Sequence, residues 1–164
     1  MATISADQPL VPSVLDRLLD DEPDVRRDPA PSPHQLLRTV KQAVRRDLQN
    51  LLNTRRRCLP WPQGLTELAH SLVNYGMPDF TEVNMGSGEG RGQLRQLLES
   101  VICQCEPRFK SVTVHLLDNE DPLDRTLRFR IDALLHAVPA PEPVAFDTTL
   151  ETATGTIEVR GVNR

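Results

Sequence analysis

The apolar positions along the chain change their period once, and that change divides the sequence into a helical half and a strand half. Leu36, Leu37, Val40, Val44, Leu48, Leu51 and Leu52 recur at spacings of three and four, the period of a helix with one buried face. Ser32-Pro33-His34-Gln35 just ahead has the form of a capping box with proline at the first helical position. A long helix is therefore predicted, with Arg38, Lys41, Arg45 and Arg46 on its other positions and the basic turn Asn53 to Pro60 at its end. Leu65, Leu68, Ala69, Leu72 and Val73 predict a second, short helix stopped by Gly76 and Pro78. Leu94, Leu97, Leu98, Val101, Ile102 and Cys105 predict a third, stopped by Pro107. A short amphipathic helix over Pro12 to Asp20 carries Val14, Leu15, Leu18 and Leu19, with Ser13 as its N-cap.

Beyond Pro107 the period falls to two. Val112, Val114 and Leu116 alternate with Thr113 and His115, and Leu127, Phe129 and Ile131 alternate with Arg128, Arg130 and Asp132. The acidic loop Asp118 to Asp124 joins them as an antiparallel pair. Val144, Phe146 and Thr148, then Ile157 and Val159, predict two further strands with Thr154-Gly155 at the turn. Helices first and strands last describe an α+β fold, with N-terminal helices packed on a small, mainly antiparallel C-terminal sheet. The stretch Asp20 to Pro33 is acidic, proline-rich and without period, so it reads as a linker. Residues 1–32 are then a short helix and linker, and residues 33–164 a single α+β domain.

Charge sharpens this division. The net charge of −4 hides a block pattern: residues 1–32 hold seven acids against three bases, and residues 33–58 seven bases against one acid. That polarity suits a subunit docking against differently charged neighbours, and the negative total argues against a nucleic-acid binder. No apolar run approaches the roughly 18 residues that cross a bilayer, so direct membrane insertion is not expected. Met1 to Leu10 lacks the basic start and apolar stretch of a secretory signal, which leaves a cytoplasmic protein as the simplest reading. The three cysteines, Cys58, Cys103 and Cys105, have no framework spacing. Cys103 and Cys105 sit two apart on a predicted helix and point in different directions, so no metal site is expected.

Several motifs invite chemistry and do not carry it. The glycine cluster Gly86 to Gly92 matches neither phosphate-loop fingerprint and reads as a flexible connection before the third helix. His34, His70, His115 and His136 lie in no nucleophile signature, and there is no GxSxG elbow, so no catalytic residue is assigned and no cofactor is expected. The basic cluster Arg55-Arg56-Arg57 with Trp61 nearby lacks the further aromatics of a stacking platform and reads as a solvated helix end or a protein-docking patch. Glu106-Pro107-Arg108 is more informative. Proline pushes Glu106 into an extended conformation, making a rigid elbow between the third helix and the first strand. Glu106 and Arg108 then project to one side, where they form an ion pair or reach a partner's charged groups.

Five segments, in order, resemble the TssE family of type VI secretion baseplate subunits, itself similar to the baseplate wedge protein of contractile-tailed phages. They are Ser13-Val14-Leu15-Asp16-Arg17-Leu18, Asp47 through Arg56 (DLQNLLNTRR), Ser71 through Phe80 (SLVNYGMPDF), Glu106-Pro107-Arg108-Phe109, and Leu127 through Leu135 (LRFRIDALL). The glycine-rich stretch 86–92 and the tail after Pro139 depart from the family pattern. The resemblance implies a structural protein, not an enzyme, assembled into a cytoplasmic baseplate near the inner membrane. It also implies partners: TssF and TssG in the wedge, and the contractile TssB–TssC sheath, which the subunit helps to start by offering a sheet edge. By resemblance Glu106, Pro107 and Arg108 sit at the contact that organises the first sheath ring. Arg55 and Arg56 are a second docking candidate, on charge alone.

The rival reading is enzymatic, because phage relatives have carried a lysozyme-like label. A glycosidase needs two carboxylates about 5–10 Å apart, one with a raised pKa. Glu106 is the candidate acid, but Arg108 two residues on favours its ionised form.

Overall fold

Four antiparallel strands in the order β1-β2-β3-β4, with two long helices laid against one face, make up the structure. The computed structural model describes residues 12–19, 24, 32–58, 62, 64–80, 83, 87–117, 126–137, 140–151 and 154–162. The expected N-terminal start and most of the expected linker 20–33 lie outside the described residues, as do the acidic loop 118–124 and Trp61. In chain order the elements are α1 (Val14–Leu18), α2 (Pro33–Asn53), two 3-10 turns (Thr66–His70 and Leu72–Asn74), α3 (Gly88–Cys105), β1 (Phe109–Leu117), β2 (Leu127–Leu135), β3 (Glu142–Glu151) and β4 (Thr156–Gly161). This is the α+β arrangement expected from the change of period.

α2 begins where its capping box predicts. The Ser32 N–H donates to Gln35 Oε1 at 2.8 Å, and the Gln35 N–H donates to Ser32 Oγ at 3.3 Å. Its stripe then runs inward, with Val40, Val44, Leu48, Leu51 and Leu52 all buried. On the sheet, Val114 stands opposite Ile131 and Ile131 opposite Phe146, while Phe129, Thr148 and Val159 form the next row. These side chains face the helices, and Leu94, Leu98, Val101 and Ile102 of α3 close the core over β1.

A helix also lies across one end of the sheet. Gln49, Asn53 and Arg45, spaced by four on α2, reach the outer edge of β4 rather than its face. The Val159 N–H donates to Gln49 Oε1 at 2.6 Å and the Ile157 N–H to Asn53 Oδ1 at 2.9 Å. In return the Ile157 carbonyl accepts from the side-chain amides of Asn53 (2.7 Å) and Gln49, and the Val159 carbonyl accepts from Arg45 Nη1 at 3.3 Å. Both backbone groups of the two inner β4 residues are thus bonded to side chains that stand in for a fifth strand.

Two helical expectations change. The stripe 65–73 forms two short 3-10 turns instead of an α-helix. Leu72 is 87% exposed, so that stripe has no surface to bury against. The Ser71 hydroxyl also donates to the Leu68 carbonyl (2.9 Å) and accepts from the Val73 N–H (3.3 Å), which diverts the backbone from the helical ladder. The glycine stretch was expected to be a connection, but Gly88 to Gly92 form the first turns of α3, with the Ser87 hydroxyl accepting from the Gly90 N–H at 3.0 Å. Packing of Leu94 and Leu98 behind this cap outweighs poor glycine propensity.

A Cβ placed at Gly92 meets nothing within 4 Å. Gly92→Ala should therefore stabilise the fold by about 0.8–1 kcal/mol, read as a higher melting temperature. An unchanged or lower value would show that the start of α3 needs glycine for some other reason.

Candidate functional site

The elbow predicted at Glu106-Pro107-Arg108 is where the separate motif segments of the chain meet. Ahead of Pro107, Glu106 has φ −117° and ψ 86°, out of the helical region as a residue before proline must be, but short of the fully extended conformation expected. Its N–H still closes the last turn of α3 on the Ile102 carbonyl (2.9 Å), and the Arg108 carbonyl already accepts from His136 on the far side of the sheet start (2.9 Å). Helix and strand are therefore joined with no slack.

The Glu106 side chain turns inward and is part of a residue only 6% exposed. Its Oε1 accepts from Arg108 Nε at 2.7 Å and from the Arg108 backbone N–H at 3.2 Å, while Oε2 accepts from Nη2. The same Nη2 donates to Asp47 Oδ2 of α2 at 2.6 Å. One guanidinium thus holds two carboxylates from two elements, the fork geometry that arginine provides and lysine does not. Burial works against the charge on Arg108, but hydrogen bonds and charge from Glu106 and then Asp47 outweigh it, so its pKa is raised. Of the two alternatives at the sequence level, the internal ion pair is formed; the outward remainder of the cluster is the half-buried Arg108 and Asp47.

The cluster continues to the N-terminus. Arg46 donates to Asp47 Oδ1 and also, at 2.7 Å, to Asp16 Oδ1 of α1. Asp16 accepts in addition from the Ser13 N–H (3.1 Å) and hydroxyl (2.6 Å). Burial first, then the Cys105 thiol and the carboxylates of Asp47 and Glu106, push the Tyr75 hydroxyl pKa up. Asp47, Arg46, Asp16 and Tyr75 were not picked out as site residues from sequence. One signal was available for Asp47: it is the single acid among the seven bases of residues 33–58.

Arg55 and Arg56 follow the C-terminal end of α2, engaged within the chain. The Arg55 guanidinium lies 5.0 Å from the Phe80 ring centroid and 4.0 Å from Asp79. The Arg56 N–H donates to the Met77 carbonyl (2.8 Å), and the Met77 N–H donates to the Thr54 carbonyl (2.7 Å). Gly76 permits this approach, since at φ +110° an added Cβ would stand 2.6 Å from the Thr54 carbonyl oxygen. The Arg55–Arg56 turn thus adjoins the elbow: a backbone hydrogen bond from Gly76 reaches Cys105, the residue before Glu106, and Arg56 is near enough to act on the same thiol.

Glu106 is engaged within the fold and is not a free acid of the kind the glycosidase reading needs. Its carboxylate and that of Asp47 are bridged by one cation, and the groove of about 1160 Å³ beside Lys41, Arg45, Glu142 and Phe146 is lined by neither. Among the described residues no group of three or more His, Cys, Asp or Glu side chains is placed to hold a metal ion, and no helix is long and apolar enough to cross a membrane.

Removing the cation should cost more than removing one anion. Arg108→Ala leaves Glu106 buried and unpaired and is expected to destabilise by about 3 kcal/mol. Glu106→Ala leaves Arg108 its bond to Asp47 and should cost clearly less. Urea unfolding of both variants tests the order; equal losses would show that Glu106 reaches water when Arg108 is gone. A second test uses acid. Burial raises the Asp16 pKa, but the Ser13 and Arg46 bonds outweigh it, leaving it below its ordinary 3.8. A depressed carboxyl contributes stability above the unfolded pKa and loses it as pH falls through the folded value. The amides of α1 should therefore stay as protected at pH 5 as at pH 7 and lose protection as the pH falls below 3.8.

The family model for "Baseplate wedge protein gp25" matches residues 38–140, from the first turns of α2 to the approach to β3. Comparison with curated proteins and with solved structures returned no match. The matched stretch spans more than half the chain and contains Asp47, Tyr75, Glu106 and Arg108, so the chain belongs to the baseplate wedge protein gp25 family, the family that contains TssE.

Proposed function

We propose that this protein is a structural, non-enzymatic subunit of a type VI secretion baseplate, joined to TssF and TssG in the wedge and helping to start the TssB–TssC sheath. The observation that carries the reading is the orientation of α1. Its acidic residue Asp16 is turned inward onto Arg46, with a side chain 4% exposed, while Val14 (73%) and Leu18 (75%) are exposed with Leu15, Leu19 and Arg17. A helix fastened by its polar side and presenting its apolar side is arranged for a neighbour, not for its own core. Residues 1–32 would then form the docking arm and residues 33–164 the domain it serves. The bases of α2 beside α1, Arg46 among them, offer charged contacts in the same region.

Glu106, Pro107 and Arg108 form the contact toward the sheath, with Arg55 and Arg56 as a second patch. Because Glu106 is buried, it acts by holding Arg108, and Arg108 with Asp47 presents the surface. The complex assembles in the cytoplasm near the inner membrane, without nucleic acid or a cofactor.

Affinity recovery of the tagged chain from cells, with mass spectrometry of what comes with it, tests this directly. TssF, TssG and TssB–TssC are expected. A Leu15→Glu, Leu18→Glu double variant should keep its melting temperature, since both positions are exposed, and lose TssF and TssG. Arg108→Lys keeps the charge but not the fork, and should lose TssB–TssC while retaining the wedge proteins. Recovery of none of these by the unaltered chain, or cleavage of peptidoglycan by it, would overturn the reading.

A further inference from the structure

α2 is longer than the edge it closes. It runs antiparallel to β4: Asn53 bonds Ile157, Gln49 bonds Val159, and Arg45 reaches the Val159 carbonyl with its Cδ 3.8 Å from a Cβ placed at Gly161. β4 ends at Gly161, whereas β3 begins at Glu142 and first meets β4 where Phe146 stands opposite Gly161. The N-terminal turns of α2 therefore continue past the end of β4. Lys41 crosses from them to Glu142 at 2.8 Å. Between these turns and the outer face of the sheet, where Thr113, Asp132 and Ala145 form one row, lies the groove of about 1160 Å³.

The groove combines an apolar lining with positive charge that the chain leaves uncompensated. Leu37 of α2 and Pro143, Val144 and Phe146 of β3 supply the apolar part. Arg38, Lys41 and Arg45 of α2 and Arg160 of β4 supply the charge, against the two lining acids Asp132 and Glu142. Glu142 is taken by Lys41, Asp132 stands 3.5 Å from His115, and Arg160 pairs with Glu158 at 2.9 Å. Arg45 bonds a neutral carbonyl, and among the described residues Arg38 forms neither a hydrogen bond nor an ion pair. Two guanidinium groups of α2 are thus left without a carboxylate, in a chain whose net charge is −4. Seven positions apart, they stand two turns apart on one side of the helix, a rise of about 10 Å.

We propose that this groove is the docking site for an acidic segment of a protein partner, held by side chains: two carboxylates on Arg38 and Arg45, and an apolar residue between them against Leu37 and Pro143. Each half of that description has its own physical reason. Guanidinium forks match carboxylates and select for acidic chains, but exposed ion pairs alone contribute little affinity. The apolar lining supplies what they lack by removing a partner's side chain from water. An anionic bilayer would meet the same charges, yet a flat surface does not enter a groove. Neither the elbow cluster nor α1 lines the site, so it is a further contact, beyond the baseplate role proposed above and not resting on it.

Zero-length cross-linking in the complex recovered with the tagged chain tests it. Arg38→Lys keeps the charge and puts an amine at that position. A carbodiimide, which joins amines to carboxylates in direct contact, should then link position 38 to a segment of a second protein that carries two acids with an apolar residue between them. No link from position 38, or a link confined to the chain's own Asp20–Asp28 stretch, in a complex that contains TssF, TssG and TssB–TssC would overturn the proposal and leave the baseplate role standing. The expected link in a complex without those proteins would do the reverse. A synthetic peptide copying the linked segment should bind the purified chain. Arg38→Glu should weaken that binding about tenfold or more by setting like charges together, with no change in melting temperature, because Arg38 is exposed. Equal affinity of the two chains would overturn the assignment of the groove. Association of the purified chain with phosphatidylglycerol vesicles that Arg38→Glu abolishes would overturn it in favour of a bilayer.

Discussion

A four-stranded sheet has one face to bury and two edges to manage, and this chain has two long helices with which to do both. α2 meets the constraint by using two of its sides at once. Val44, Leu48, Leu51 and Leu52 enter the core, and Arg45, Gln49 and Asn53 close the rim of β4. The apolar side alone would tolerate small slides along the helix axis, since one aliphatic contact replaces another at modest cost. The amide contacts do not, because hydrogen bonds weaken steeply with distance and angle. Position of α2 along the sheet is therefore fixed by polar bonds and its adhesion by apolar burial.

The Asp47–Arg108–Glu106 cluster performs the same task at the other end of the sheet. It ties the middle of α2 to the end of α3 and the start of β1 through one guanidinium. Such partly buried ion pairs contribute little net stability once desolvation is counted, yet breaking one is costly. Their effect is to penalise other arrangements of the three elements. Arg46 extends the cluster to Asp16, so the placement of α1 depends on the same corner of the molecule.

These two fixings leave the molecule with distinct surfaces. One end presents the apolar side of α1 above a charged corner, the β4 edge is bonded to side chains of α2, and on β1 the Val114 N–H donates to Glu99. A subunit within a wedge that also receives a neighbour has to present different surfaces to each without exposing an edge to its own copies. The sealing of β4 serves that last need whatever the partners are.

The elements were legible in the sequence because they are local. A stripe at spacings of three and four, a capping box at Ser32–Gln35, and a change to alternation after Pro107 each follow from backbone geometry over a few residues. The same locality explains the two misreadings. The stripe 65–73 had helical spacing but no surface to cover, and the glycines before Leu94 had poor propensity but a serine cap and a core behind them. Glu106 and Arg108 were visible as a pair two residues apart on an extended segment. Their third partner, Asp47, was not, because it is separated from Arg108 by 61 positions. Nor was any edge legible: nothing in the local pattern marks Gln49 and Asn53 as partners of β4, or Glu99 as a partner of Val114. Period and capping are properties of neighbours along the chain, so the sequence by itself determined the elements and their order. Which carboxylates share an arginine and which strand edge is closed depend on groups brought together across the fold, and only the tertiary structure decided those.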